Sequence, residues 1–372
     1  MEFVATCLFG LEKLLGEEID ALGCRRTETM DGRISFEGTP YDAARANIRL
    51  RLAEHVFIKV GSFPSVTFTE LFDGVKALPW EEYIGKNDAF PVKGHSIKSK
   101  LFSVPDCQSI IKKAVATRLG EHYHTDWLTE EGTKYQIEFF LFKDTVTLMI
   151  DTSGIPLHKR GYRPASGIAP LRETLGAALA LTARPREDVL FWDPFCGSGT
   201  IAIEAAMILS GKAPGLSRSF AGEAFSFLPR QSWENAREEA KAAEKNGEFE
   251  VYASDIDAEV LEIAKANAAR AGAAKYIKFF RRDALTIKKE ERRGTIVCNP
   301  PYGERLMSEA QAEELYRRMG KTFDALSPWQ IYVLTSCEHF ERLYGRRADK
   351  KRKLYNGMIP CTLYQYFKPK ER

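Results

Sequence analysis

Between Val189 and Thr335, five short strand-like runs alternate with helix patterns. The runs are Val189–Trp192, Val251–Ser254, Ile277–Phe280, Ile296–Cys298 and Ile331–Thr335, and the helix patterns cover 199–210, 258–271 and 309–326. Such β/α alternation predicts an α/β fold built on a doubly wound parallel sheet. The tail departs from it, because Lys353–Asn356 and Thr362–Phe367 are strand-like with no helix between them. An antiparallel hairpin closing the sheet is expected there. Residues 211–250 interrupt the alternation with an insertion carrying a charged helix, Trp233–Lys245, to which the sequence assigns no role.

The front half alternates differently. Phe3–Cys7 reads as a strand, Leu11–Leu22 as a helix stopped by Gly23, and two short strands flank the hairpin signal Asp31-Gly32. A helix over Tyr41–Leu52 and a strand over Val56–Val60 complete a β-α-β-β-α-β order, the ferredoxin-like unit. From about residue 63, helices are expected at Phe68–Leu78 and Asp106–Leu119. Strands are expected at Ala89–Val92, Ser96–Ser99, Tyr135–Phe142 and Val146–Asp151, with a basic loop, Lys93–Lys100, between the first two.

At 372 residues, the chain is long enough for two or three domains. Its net charge is +3, divided as −2 over residues 1–165 and +5 over 166–372, so any nucleic-acid contact must come from local patches. The seven cysteines are odd in number and scattered, without a Cys-x-x-Cys pair, which argues against a disulfide framework and a structural zinc. The histidines show no metal-ligand spacing. No signal peptide is evident at the start, and no apolar run approaches the roughly 18 residues of a membrane span. A cytoplasmic, metal-free protein without membrane contact is expected.

Asp193-Pro-Phe-Cys-Gly-Ser-Gly-Thr200 follows one strand and opens a helix, the arrangement that lets backbone approach a nucleotide-like ligand. Gly197, Gly199 and Ala202 also fit a dinucleotide fingerprint. Two details favour S-adenosylmethionine. Asp193 would repel a pyrophosphate but stabilise an ammonium. Asp255, ending the next strand, is placed for ribose hydroxyls, and Asp283, ending the third, for an adenine amine. Asp255 also lies about 60 residues past Asp193, against roughly 20 in a dinucleotide domain.

Asn299-Pro300-Pro301-Tyr302 ends the fourth strand. Two prolines stiffen the turn and remove two N–H donors, leaving carbonyls and the Asn299 amide oxygen to accept both hydrogens of an aromatic amine. Tyr302 is placed to stack on the base. Alone, the tetrapeptide is an ordinary proline turn; after a glycine turn and three acidic strand ends, it reads as an acceptor site for an exocyclic nitrogen.

With these motifs in order, the chain resembles the bacterial THUMP-domain RNA methyltransferases, most closely the 23S rRNA guanine-N2 methyltransferases. The likeness also rests on Leu157-His-Lys-Arg-Gly-Tyr-Arg163, Pro170-Leu-Arg-Glu-Thr-Leu175, Asn299–Arg305 and Tyr355-Asn-Gly-Met358. It implies a ferredoxin-like domain at 1–62, a THUMP RNA-binding domain at 63–160 and a Rossmann-like class I methyltransferase domain at 161–372. It implies S-adenosyl-L-methionine as cofactor, held by Leu171, Arg172, Asp193, Phe195, Cys196, Gly197, Ser198, Gly199, Thr200, Asp255, Ile256, Asp283, Ala284 and Asn299. Asn299, Pro300, Pro301 and Tyr302 would form the catalytic turn. The second methyltransferase domain carried by some relatives is lacking, which implies one modification. Proteins of this type are often labelled DNA adenine-N6 methylases because they share Asn-Pro-Pro-Tyr; an RNA-binding front half argues against that label.

For RNA, the basic residues Lys93, Lys98, Lys100 and Lys112, and Lys159, Arg160 and Arg163 in the connector, are the expected contacts. Charge runs are more often solvated surface, and the densest one, from Arg342 through Lys353, is a further candidate. The guanine of 23S rRNA competes with a tRNA guanine and with adenine N6. Cys337 after the fifth strand offers a thiol for pyrimidine-C5 chemistry, although free cysteines usually pack. A chain of another class, an inactive RNA-binding assembly factor, is the remaining alternative.

Overall fold

The structure, a computed structural model, describes residues 1–163, 171–301 and 308–367. They form two units: Met1–Cys7, Gly16–Leu157 and Arg218–Glu239 in the first, and Leu8–Leu15, His158–Ser217 and Ala240 onward in the second.

The first unit is built on β1 (Glu2–Cys7), α1 (Glu12–Ala21), β2 (Arg25–Met30), β3 (Arg33–Glu37), α2 (Pro40–Arg49), β4 (Ala53–Pro64), α3 (Phe68–Lys76), β5 (Val92–Ile97), α4 (Val104–Tyr123), β6 (Ile137–Phe142) and β7 (Thr145–Asp151). Capping boxes at Thr39/Asp42 and Thr67/Glu70 start α2 and α3. All seven strands join one sheet, in the order β2-β3-β1-β4-β7-β6-β5. The twelve-residue β4 pairs with β1 and then with β7. A division at residue 62 therefore falls inside a strand, and the two front segments share a sheet.

One expectation fails here. The two strands flanking a basic loop at Lys93–Lys100 are a single strand, β5, running parallel to β6 from Val92↔Ile137 to Ile97↔Phe142. Ala89 makes only an isolated bridge. Gly94 looks like a loop residue but serves close approach, since a Cβ there would lie 2.2 Å from the Phe139 carbonyl oxygen.

The insertion also finds its role. Residues 218–239, including most of α7 (Arg230–Ala242), belong to the first unit. Trp233 stacks on Phe220, and Phe225 on Tyr135 at 4.4 Å. Glu239 accepts from Tyr41 at 2.9 Å, Arg45 at 2.8 Å and Arg49 at 2.6 Å.

The second unit contains α5 (Glu173–Ala183), β8 (Leu190–Asp193), α6 (Thr200–Leu209), β9 (Val251–Asp255), α8 (Ala258–Arg270), β10 (Ile277–Arg281), β11 (Gly294–Cys298), α9 (Glu309–Asp324), β12 (Gln330–Thr335), α10 (Phe340–Tyr344), β13 (Lys350–Asn356) and β14 (Ile359–Tyr366). Strand order is β10-β9-β8-β11-β12-β14-β13. The first five are parallel, and the terminal hairpin adds antiparallel to β12. Trp192, Tyr316, Phe323, Phe340 and Tyr366 fill one core layer. From β8 the chain steps outward through β9 and β10, then returns to β11 on the other side. This reversal opens a crevice at the carboxyl ends of β8 and β11, where open α/β sheets bind ligands. Among the described residues, no helix is long and apolar enough to cross a membrane.

Candidate active site

Strand β8 is buried along its length and delivers Asp193 to the crevice. The turn beyond it is tightly pinned. Cys196 donates its N–H to the Ser254 carbonyl at 3.0 Å, Gly197 to Asp255 Oδ2 at 3.0 Å, and Asn267 Nδ2 donates to the Ser198 carbonyl at 3.0 Å. Gly197 and Gly199 both take positive φ, +48° and +86°. Their reasons differ. A Cβ on Gly199 would press on Ala264 at 3.1 Å, so that glycine serves packing on α8, whereas nothing lies within 4 Å of one on Gly197. Gly197 thus leaves open space at the ligand-facing end of β8.

Asp193 and Asp255 end β8 and β9, Asp283 lies two residues past β10, and each also braces local backbone. Asp193 accepts the Phe195 N–H at 3.2 Å and is fully buried; burial raises its carboxyl well above the usual range, Asp255 adds to the rise, and the Phe195 bond opposes it. A cation brought against it would relieve that cost. Asp255 accepts one N–H on each oxygen, from Gly197 and from Asp257 at 3.1 Å, which holds the turn and leaves a lone pair per oxygen for hydroxyl donors. Asp283 caps the following turn through Leu285 at 2.9 Å by its Oδ1 oxygen. Ile256 is 62% exposed between Asp255 and Asp257, an apolar face suited to an adenine ring, and Ala284 is buried beside Asp283. Phe195 is partly buried against the core, and the Cys196 thiol, raised in pKa chiefly by burial, is no nucleophile.

Two of the residues expected on RNA are inside this unit instead. Arg160 is 4% exposed and lies 3.6 Å from the buried Glu204, which also accepts the Tyr162 hydroxyl at 3.1 Å. Arg163 donates to both oxygens of Glu173, to the Leu171 carbonyl at 2.8 Å and to Thr200 Oγ1 at 3.2 Å. Charges so deeply placed must be paired, and these are. Arg163 therefore ties Leu171 and the first residue of α6 together behind the glycine turn. Arg172 N-caps α5 in an extended conformation. Residues 164–170, Pro170 among them, lie outside the described residues.

Strand β11 brings Asn299 to the same edge, next to β8. Its Oδ1 is buried and has no hydrogen-bond partner among the described residues. Such an orphan acceptor is costly unless something arrives to donate. Pro300 is buried. The Pro301 carbonyl accepts the Tyr316 hydroxyl at 3.4 Å, and that hydroxyl shares a 3.0 Å bond with Thr335 Oγ1. The Pro300 carbonyl has no such partner among the described residues. Asn299 Oδ1 and the Pro300 oxygen, without partners among the described residues, thus stand next to the glycine turn. Tyr302 lies outside the described residues, as do Gly303, Glu304 and Arg305. Tyr316 escaped the sequence reading, because a tyrosine on the apolar face of α9 looks like any core residue. Among the described residues, no three His, Cys, Asp or Glu side chains gather as a metal site.

The first unit revises the remaining RNA candidates. Lys112 pairs with Glu130, lies 3.6 Å over the Phe90 ring and donates to the Phe90 carbonyl, so it holds the fold. Lys93 pairs with Glu138 at 3.2 Å. Lys98 and Lys100 remain exposed, beside Phe102, which is 82% exposed. Asp144, at positive φ in the β6–β7 turn, accepts the Lys100 N–H at 2.7 Å, which brings the exposed Lys143 to the same end. Lys159 is exposed in the connector of the second unit.

Comparisons with known proteins agree with this organisation. Residues 160–365 match the family model of the RMKL-like methyltransferase domain, residues 2–57 that of the RlmL ferredoxin-like domain and residues 65–151 that of the THUMP domain. The chain is 43% identical over 367 residues to a Bacillus subtilis protein named Putative RNA methyltransferase YpsC, covering 98% of this chain and 95% of that one. It is 32% identical over 366 residues to Ribosomal RNA large subunit methyltransferase K/L of Psychromonas ingrahamii, covering 96% of this chain and spanning 49% of the relative. Among solved structures, SMU.472 complexed with SAH superposes with a TM-score of 0.93 at 40% identity, over 100% of this chain and 99% of that one.

Proposed function

The chain belongs to the RMKL-like methyltransferase family, S-adenosylmethionine-dependent enzymes, and from that premise we propose that it methylates an exocyclic amine in structured RNA, guanine N2 of 23S rRNA, in the cytoplasm. The observation that carries the choice of atom is the Asn299 Oδ1 orphan beside the Pro300 carbonyl. Both accept and neither donates, so the group they fit brings two hydrogens and no lone pair to share with them. An aryl amine is that group.

S-adenosylmethionine supplies an electrophilic methyl group on a sulfonium. The chain's own residues do the rest by positioning. An exocyclic amine is a poor nucleophile because its lone pair is delocalised into the base. Asn299 and Pro300, accepting one hydrogen each, draw the nitrogen towards tetrahedral geometry and return the lone pair to it. Tyr316 fixes the turn from behind by holding the Pro301 carbonyl. The proton leaves late, and no dedicated base is needed. The target must be turned out of its stack to reach the crevice.

On the first unit, Lys98, Lys100 and Lys143 with Phe102 provide phosphate contacts and one stacking surface for the RNA. The test of the whole reading is nucleoside mass spectrometry of rRNA and tRNA from a strain lacking the gene. One N2-methylguanosine should disappear from large-subunit rRNA. Loss of an N6-methyladenosine or of a tRNA nucleoside would move the assignment to those alternatives. A full complement of modified bases, with no S-adenosylmethionine binding by calorimetry, would favour an inactive assembly factor.

A further inference from the structure

We propose that the tip of the terminal hairpin, with the turn after β1, is a stacking platform for an unpaired nucleotide flanking the methylated base. The inference rests on the RNA-methyltransferase reading above and names the surface by which the second unit takes its substrate. Strand register places it. Thr335, the last residue of β12, pairs with Thr362, and β14 begins three residues earlier at Ile359. The hairpin therefore rises about 10 Å beyond the sheet's carboxyl edge, the edge that carries Asp193, Asp255 and Asn299.

Its surface carries exposed apolar side chains. Met358, at the tip, is 95% exposed and Phe9 57%. Phe9 packs edge-on against Tyr355, with centroids 6.2 Å apart. The turn carrying Phe9 is fixed on β13: Gly10 has φ +88°, and a Cβ on it would lie 2.8 Å from the Lys353 carbonyl oxygen. The Lys353 ammonium lies 5.7 Å over the Tyr355 ring and has no carboxylate partner among the described residues. Lys351, its neighbour two residues back, is by contrast paired with Glu341 at 2.8 Å. An aromatic pair, Phe9 edge-on to Tyr355, with the Lys353 ammonium over the ring and an exposed Met358 at the hairpin tip, matches a base face and its phosphate. The foot of the hairpin is tied to the group that braces the acceptor turn. Thr335, at the foot of the hairpin, shares its hydroxyl with Tyr316, and the Tyr364 hydroxyl on β14 donates to the Cys337 carbonyl at 3.3 Å.

The test compares the full chain with a Tyr355→Ala/Met358→Ser variant, using rRNA extracted from a strain lacking the gene and labelled S-adenosylmethionine. KM for the RNA should rise on the order of tenfold, while calorimetric S-adenosylmethionine affinity stays unchanged and Tyr355→Phe behaves as wild type. Met358→Ser alone, at a side chain with almost no packing to lose, should raise KM about threefold. Lys353→Gln should lower the salt slope of RNA binding by about one. An unchanged KM in the double variant, with wild type active, would overturn the platform and leave the enzyme reading standing. A change in oligomeric state instead would assign the patch to a second copy of the chain and equally overturn it. A wild-type chain that binds no S-adenosylmethionine and methylates no RNA would remove the reading and this inference together.

Discussion

Arg163 grips Glu173 with two parallel bonds, Nε to Oε1 at 3.0 Å and Nη2 to Oε2 at 2.7 Å. Its remaining nitrogen bridges the Leu171 carbonyl and the Thr200 hydroxyl. Burial raises the Glu173 carboxyl even against this arginine, so the pair is held under a real desolvation cost. Geometry of this kind is specific to a planar fork, which an ammonium does not reproduce.

Arg163→Lys should therefore behave as a cofactor-site variant. We expect S-adenosylmethionine affinity to fall about tenfold as Leu171 and Thr200 lose their common anchor, a cost of about 1.4 kcal/mol. The salt dependence of RNA binding should not change. Calorimetry and a salt titration measure the two separately, and a flattened salt slope would return Arg163 to the RNA surface.

Asn299→Ala removes one of the two acceptors. Methyl transfer should fall by about 100-fold or more, with cofactor affinity changed little. Cys337→Ser should keep most activity, since the acceptor turn suits an amine and not a ring carbon attacked by a thiol. The opposite ranking in single-turnover rates would mean pyrimidine-C5 chemistry.

What was legible beforehand follows physical lines. The second sheet was readable because strand length, strand-end acids and glycine turns are local signals. Helix α5 was not, because its run Glu-Thr-Leu-Gly-Ala-Ala-Leu-Ala-Leu-Thr-Ala is buried on all sides and has no polar face to mark a period. Gly94 misled because a glycine that permits close strand approach looks like one that ends a strand. Arg160 and Arg163 misled for a related reason: sequence shows charge but not burial, and the partner of Arg160, Glu204, lies 44 positions away. The glycine turn and Asn299 to Pro301 lie just past the strands that their motifs follow in the sequence; the groups that brace them, Arg163 and Tyr316, needed the fold.

Tyr316 offers a test of bracing without contact with substrate. Burial pushes its phenol up to about 12, so it stays a neutral donor across the working range. Tyr316→Phe keeps the ring in the core and deletes only the hydroxyl, with its bonds to the Pro301 carbonyl and to Thr335 Oγ1. The turn's carbonyls would then be held less well, and a small misplacement at a reacting centre is expensive. We expect kcat to fall about tenfold, with KM for RNA and thermal stability close to wild type. A Tyr316→Phe enzyme with full kcat would show that the two prolines alone hold the turn.

Asp193 predicts a pH dependence with a definite sign. Burial raises its carboxyl well above the ordinary range in the free protein, so ionising it costs stability as pH rises through that raised value. A cationic ligand beside it favours the charged form and lowers the pKa again. The complex then binds fewer protons than the free protein, and S-adenosylmethionine should bind more tightly as pH rises from the ordinary carboxylate range to the raised value. Binding should also release protons, measurable by calorimetry in buffers of different ionisation enthalpy. Asp193→Asn should weaken binding at the upper end of this window and abolish the proton release. Persistence of the release in that variant would place the titrating group elsewhere and remove Asp193 from the cofactor's charge recognition.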